Sequence, residues 1–80
     1  MKNFELFMAE YEKQLQTAVI NYPNEYGFDV AAVPTVAARM RLAFQKGSYN
    51  KDGRAIKATC KALSIQYTYK GINEFIGGDN

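Results

Sequence analysis

Apolar residues along this chain recur at helical spacing in four separate segments. In the first segment they lie three and four residues apart from Phe4 to Tyr22, which is the pattern of an amphipathic helix. The following residues, 22–28, contain proline, asparagine and glycine and interrupt the pattern, so they predict a loop. A second helix is predicted to begin near Pro34 or Thr35, because proline suits a first helical turn and threonine can cap one, and to end at Gly47.

The second half of the chain predicts two shorter helices. One follows a cap at Ser48 or Asp52 and runs to about Leu63, and the other follows a cap at Thr68 and ends at two consecutive glycines. We therefore expect one all-α domain that spans the chain, a compact bundle of about four short helices, with residues 77–80 as a flexible tail. No repeat or linker suggests a second domain.

The last two predicted helices resemble a helix-turn-helix. Residues 53–76 read GRAIKATCKALSIQYTYKGINEFI, with Cys60 where that motif has a small residue and Ser64 where it has a glycine at the turn. Two features depart from the motif, because serine lacks the freedom of glycine at positive φ and the turn is one residue short. A plain helical hairpin would give a similar pattern, and both interpretations stay open.

Composition narrows the possible chemistry. The chain has no histidine and one cysteine, so the usual general base and the usual zinc ligands are missing, and no glycine-rich phosphate loop is present. Cys60 falls at a core position between Ile56 and Leu63, which predicts a buried thiol without a catalytic role. We expect a protein that is not an enzyme and has no cofactor, metal or small-molecule substrate.

Cysteine usage and hydropathy indicate a compartment. A single cysteine cannot form an intramolecular disulfide, which favours a reducing environment. No apolar run approaches the ~20 residues of a membrane span, and the first residues carry charges where a signal peptide needs an apolar core. We expect a cytoplasmic protein without a membrane partner.

Charge is distributed unevenly along the chain. Residues 1–38 hold two basic and five acidic residues, a net charge of −3, whereas residues 39–80 hold eight basic and three acidic residues, a net charge of +5. Solvent-exposed helix faces that happen to differ in the sign of their charge would give the same two net charges. A basic half is nevertheless typical of proteins that bind phosphate or an acidic partner.

These observations predict a nucleic-acid site in the second half. Basic residues at i, i+3 and i+7 on the third helix would contact backbone phosphates, and polar residues of the turn and last helix would face a DNA groove. The first set is Arg54, Lys57 and Lys61, and the second set is Gln66, Tyr67, Thr68, Lys70 and Asn73.

The segments VPTVAARM and NKDGRAIKATCKALSIQYTYKGINEFI also resemble short uncharacterised proteins encoded by tailed phages and prophages. That resemblance implies a phage context, in which small proteins serve mainly as DNA-binding regulators or as inhibitors of host machinery. The alternative to nucleic-acid binding is therefore an inhibitor or adaptor that binds an acidic host protein through exposed aromatics such as Tyr26, Tyr49 and Tyr67. The sequence is also compatible with a homodimer.

Overall fold

The four amphipathic segments all fold as helices in the computed structural model, which describes residues 2–78. Two short 3₁₀ turns, Pro23–Glu25 and Val30–Ala32, connect the first two helices, and no strand occurs within the described range. The helices are α1 (Lys2–Asn21), α2 (Val33–Lys46), α3 (Arg54–Ala62) and α4 (Tyr69–Gly77).

The longest helix, α1, is the centre of the bundle. Its 20 residues give a length of ~30 Å at 1.5 Å per residue, which accounts for most of the 35 Å long axis of the molecule. The apolar stripe from Phe4 to Val19 is buried, and α1 contacts α2, α3 and α4. The predicted all-α bundle is thus confirmed.

Aromatic rings form the middle of the core. The ring of Phe44 on α2 meets Phe7 and Tyr11 of α1 edge to face, with centroids 4.9 Å and 5.3 Å apart, and lies 4.7 Å from the ring of Tyr49. Burial raises the pKa of Tyr11 to about 12. Tyr49 is only 6% exposed, so its predicted place among exposed aromatics is wrong.

Helix α2 begins within two residues of the predicted start and has Pro34 in its first turn, but the predicted cap at Thr35 is wrong. The Oδ1 atom of Asp29 accepts a hydrogen bond of 3.1 Å from the amide of Ala31 and caps a 3₁₀ turn, and that turn continues directly into α2 at Val33. Thr35 therefore lies inside the helix. Because the preceding turn supplies the entry into α2, the helix needs no side-chain cap of its own.

The cap predicted for α3 is absent as well. Gly53 is the N-cap residue and provides no side-chain hydrogen bond, while Ser48 and Asp52 both lie too early in the chain. The amide of Asp52 instead donates to Oδ1 of Asn50 at 3.0 Å, and its carboxylate lies 3.8 Å from Nζ of Lys51. Both contacts lie within the connection between α2 and α3 and stabilise it.

The turn after α3 uses a left-handed residue. Ser64 has φ 57°, its amide donates to the carbonyl of Lys61 at 3.3 Å, and the amide of Ile65 donates to the carbonyl of Cys60 at 2.8 Å. This pair of bonds is the Schellman motif that commonly ends a helix at glycine. The thiol of Cys60 is buried as predicted, and burial raises its pKa.

The last helix begins where the sequence predicts. Oγ1 of Thr68 accepts a hydrogen bond of 2.9 Å from the amide of Gly71 and caps α4. Gly77 is the last residue of α4 and Gly78 its C-cap, so these two glycines belong to the helix end rather than to a tail. The rest of the predicted tail, residues 79–80, lies outside the described residues. No helix within residues 2–78 combines the length and apolar character needed to cross a membrane.

Candidate nucleic-acid interface

The outer face of α3 carries the predicted basic residues. Lys57 and Lys61 are exposed and one helical turn apart, and Arg54 precedes them by another turn. The buried residues of α3 occupy the opposite side of the helix, which faces the core, and they are Ala55, Ile56, Thr59 and Cys60. The predicted separation of an apolar face from a cationic face on this helix is therefore present.

Arg54 is already engaged within the protein. Its Nε and Nη2 donate to the two carboxylate oxygens of Glu25 at 2.7 Å and 3.0 Å, and its guanidinium carbon lies 3.6 Å from the ring centroid of Tyr22. The hydrogen bond from Arg54 lowers the pKa of Glu25. Since the charge of Arg54 is balanced by this carboxylate, the net positive charge of the face lies on Lys57 and Lys61. Neither lysine has an acidic partner within the described residues.

A shallow groove runs between α1 and α3 beneath these lysines. Its volume is about 290 Å³ and its walls are mostly apolar. The groove, hereafter the α1–α3 groove, is lined by Gln14, Thr17, Ala18, Asn21 and Tyr22 on one side and by Arg54, Lys57, Ala58 and Lys61 on the other. The cationic residues of α3 thus border a recess rather than a flat surface.

Three of the predicted base-contacting residues have partners inside the protein. Thr68 caps α4, Tyr67 donates its hydroxyl to the carbonyl of Lys51 at 2.8 Å, and Asn73 accepts a hydrogen bond of 2.7 Å from Tyr49. The ammonium of Lys51 also lies 4.5 Å from the ring centroid of Tyr67. These roles differ from the predicted contacts with bases, because each side chain stabilises the connection or the helix beside it.

Gln66 and Lys70 remain exposed, and neither side chain has a hydrogen-bond or ion-pair partner within residues 2–78. Lys70 shares the outer face of α4 with Glu74, one turn further on, which reduces the positive potential of that face. Both α3 and α4 pack mainly on α1. The order helix, turn, helix is therefore present, although α4 presents few free groups for reading bases.

No family model, curated protein or solved structure matches this chain. Fold class alone does not determine function, so the groups on the surface are what indicate it. Within residues 2–78, no group of three or more cysteine and carboxylate side chains is placed to hold a metal ion. The distinctive feature of the described surface is the pair of unpaired lysines above the α1–α3 groove.

The contribution of α1 to this site was not predicted from the sequence. Gln14, Thr17 and Asn21 belong to the polar side of α1, whereas the prediction concerned only its apolar stripe. Tyr22, the last residue of that predicted stripe, follows the helix and lines the groove. Nothing in the periodicity of α1 shows which of its polar residues will lie beside α3. That information arises only from the packing of the two helices.

Proposed function

We propose that this protein is a small, non-enzymatic nucleic-acid-binding protein and that it binds through the basic face of α3. The observation that carries the proposal is the pair Lys57 and Lys61, which are exposed, one turn apart and without an ion-pair partner among residues 2–78. A lysine that neutralises a phosphate releases a condensed counterion, and this release supplies most of the affinity of non-specific binding.

The geometry favours binding with little dependence on base sequence. Phosphate contacts position a protein on nucleic acid, whereas contacts to base edges provide specificity. Most of the residues expected to contact bases are occupied by structural roles, and Gln66 and Lys70 are the free members of that set. A regulatory role in a phage setting agrees with the resemblance of the sequence, and it forms part of the same proposal.

The alternative, an inhibitor or adaptor bound to a host protein, has weaker support. Leu6 and Ile20 are exposed, but they are fourteen residues apart on α1, which separates them by ~21 Å, and Leu42 lies on α2. Single exposed apolar residues are ordinary features of protein surfaces. Tyr49 is buried, which removes one of the aromatic anchors on which that alternative depends.

The test compares binding to a labelled DNA duplex and to a single strand across a salt series. The informative variant is Lys57→Glu combined with Lys61→Glu, and the control is Lys2→Glu combined with Lys13→Glu, which makes the same charge change at exposed positions of α1 outside the groove. For the parent, the logarithm of the association constant should fall linearly with the logarithm of salt concentration.

Removal of the two groove lysines should reduce that slope by roughly 1.4 on a single strand and roughly 1.8 on duplex, since each phosphate contact contributes about 0.7 or 0.9. The control should keep nearly the slope of the parent. Parent binding no tighter than the ~10⁻⁴ M of weak non-specific contact at low salt, or an equal loss in the control, would refute the proposal.

A further inference from the structure

We infer that the α1–α3 groove accepts an unpaired base of a single-stranded nucleic acid while the neighbouring phosphates contact Lys57 and Lys61. The inference rests on the proposed function and specifies its ligand. The base would be recognised in the α1–α3 groove, which α1 helps to form, and not on the exposed face of α4.

The size and shape of the groove favour a single strand. Its volume of about 290 Å³ is near the lower limit of ~300 Å³ for small-molecule pockets, which suits one nucleotide. A duplex keeps its bases stacked and paired, so it can present only phosphates and groove edges to this surface. The apolar walls of the recess would then stay in contact with water. An unpaired base would cover them.

The lining residues match the parts of a nucleotide. Tyr22 is 43% exposed, and the guanidinium of Arg54, held by Glu25, covers one face of its ring. The stacked pair forms a planar wall of the kind on which bases stack. Lys57 and Lys61 stand at the rim, where the charged backbone would pass. The apolar interior and the cationic rim therefore complement the two chemically different parts of a single strand.

Two amide side chains in the groove can distinguish base edges. Nε2 of Gln14 donates to the carboxylate of Glu10 at 2.6 Å, which fixes the amide and leaves its carbonyl oxygen as an acceptor. The side chain of Asn21 is exposed and makes no hydrogen bond within the described residues, so it offers both a donor and an acceptor. These groups would give a modest base preference beside the main contribution from stacking.

The length of the basic face limits the footprint. Arg54 and Lys61 are seven residues apart, or ~10 Å along the helix axis. We therefore expect one protein to contact a stretch of only a few nucleotides, with one base in the groove.

The experiment measures fluorescence anisotropy with three labelled 12-mers, namely oligothymidine, an abasic strand of the same length, and a duplex. The abasic strand keeps its phosphates and lacks the bases, so it separates charge from stacking. The informative variant is Ala58→Leu, which fills the groove, and the matched control is Ala62→Leu, which places the same side chain on an exposed position of α3 outside the groove.

Oligothymidine should bind the parent at least about 5-fold more tightly than the abasic strand does. A factor of about 5 is the lower end of the affinity gained by stacking one base. Ala58→Leu should remove that difference and leave binding of the abasic strand unchanged, whereas Ala62→Leu should behave as the parent. Thr17→Leu, which fills the α1 side of the groove at an exposed position, gives a second test if Ala58→Leu does not fold.

Equal binding of the abasic strand, duplex binding as tight as oligothymidine, or an unaltered preference in folded groove variants would overturn the inference. Displacement of oligothymidine by polyglutamate as readily as by unlabelled strand would also overturn it, because charge alone would then explain the site. Each of these results would still be compatible with the proposed function, provided that Lys57→Glu combined with Lys61→Glu reduces the salt dependence of binding. Failure of all three 12-mers to bind would refute both.

Discussion

At the scale of single residues, two helix ends share one geometry but differ in the residue that adopts it. Gly47 after α2 has φ 70°, and Ser64 after α3 has φ 57°. After α2 the amide of Ser48 donates to the carbonyl of Ala43 at 3.0 Å, and α3 ends with the equivalent bond. A left-handed conformation costs a residue with a Cβ roughly 1–2 kcal/mol, and glycine avoids this cost.

We predict opposite effects on stability at these two positions. Ser64→Gly should stabilise the protein by about 0.5–1 kcal/mol, because relief of the left-handed strain exceeds the entropy that glycine adds to the unfolded chain. Gly47→Ala should destabilise it by about the same amount. Urea unfolding measures both as shifts of the midpoint at constant slope. If both variants lost stability, strain at Ser64 would not be the reason for its effect.

The position of the turn after α3 was predictable, but its strain was not. Ser64 stands where a helix-turn-helix has glycine, and the absence of glycine counted against a left-handed turn. The chain adopts that conformation nevertheless, because the Schellman bonds satisfy two carbonyls at the end of α3 while Ile65 packs against the core. The Schellman hydrogen bonds and the burial of Ile65 outweigh the local preference of serine against positive φ. Neither contribution can be predicted from a single residue.

At the scale of elements, the helices were predictable from the apolar periodicity, whereas of the caps predicted for α2, α3 and α4 only that of α4 was correct. Thr68 precedes α4 at the right distance, and its hydroxyl meets the amide of Gly71. A Cβ at Gly71 would collide with the carbonyl of Gln66, which explains a glycine in the first turn of this helix. Thr35 and Asp52 looked equally suitable as caps, yet α2 and α3 begin without one.

The cap gives a prediction that separates structure from recognition. Thr68→Ala should destabilise the protein by about 1 kcal/mol, because one amide of the first turn loses its acceptor. Binding of folded Thr68→Ala to nucleic acid should be unchanged. Gln66→Ala is the control, because this exposed side chain makes no hydrogen bond within residues 2–78, and it should leave stability within about 0.5 kcal/mol of the parent. Thermal unfolding and the anisotropy assay measure the two quantities.

A loss of affinity in Thr68→Ala at a temperature where it is fully folded would contradict this assignment. It would show that the hydroxyl contacts the ligand as the sequence first suggested. Unchanged stability would instead show that the hydrogen bond to the amide of Gly71 contributes little.

At the scale of the whole molecule, the acidic and basic halves of the sequence pack against each other. Glu5 of α1 forms an ion pair with Arg41 of α2, and Glu25 forms one with Arg54 of α3. Both pairs lower the pKa of the glutamate. The sequence therefore overstates the positive charge that the second half offers to a ligand. The candidate site was predictable in its lysines, but the groove was not, because it depends on how α1 and α3 are placed.

The buried tyrosine of α1 makes the stability of the whole fold sensitive to alkaline pH. Tyr11 has its pKa raised from 10.0 to about 12 by burial, so the folded protein keeps a proton that the unfolded chain releases above pH 10. The free energy of unfolding should therefore be unaffected by this group below about pH 10 and should fall as pH rises from about 10 to 12. The full loss of unfolding free energy from this residue is about 3 kcal/mol, because each of the two pKa units corresponds to ~1.4 kcal/mol.

We predict that Tyr11→Phe loses less stability than the parent over this pH range, because phenylalanine has no proton to release. The difference between the two proteins is the quantity that isolates Tyr11, because every other group is common to both. Tyr22→Phe, which removes a hydroxyl from an exposed ring, should show the same alkaline loss as the parent. Urea midpoints measured from pH 8 to pH 11.5 give the three curves. Parallel curves for Tyr11→Phe and the parent would show that the hydroxyl of Tyr11 reaches water in the folded protein.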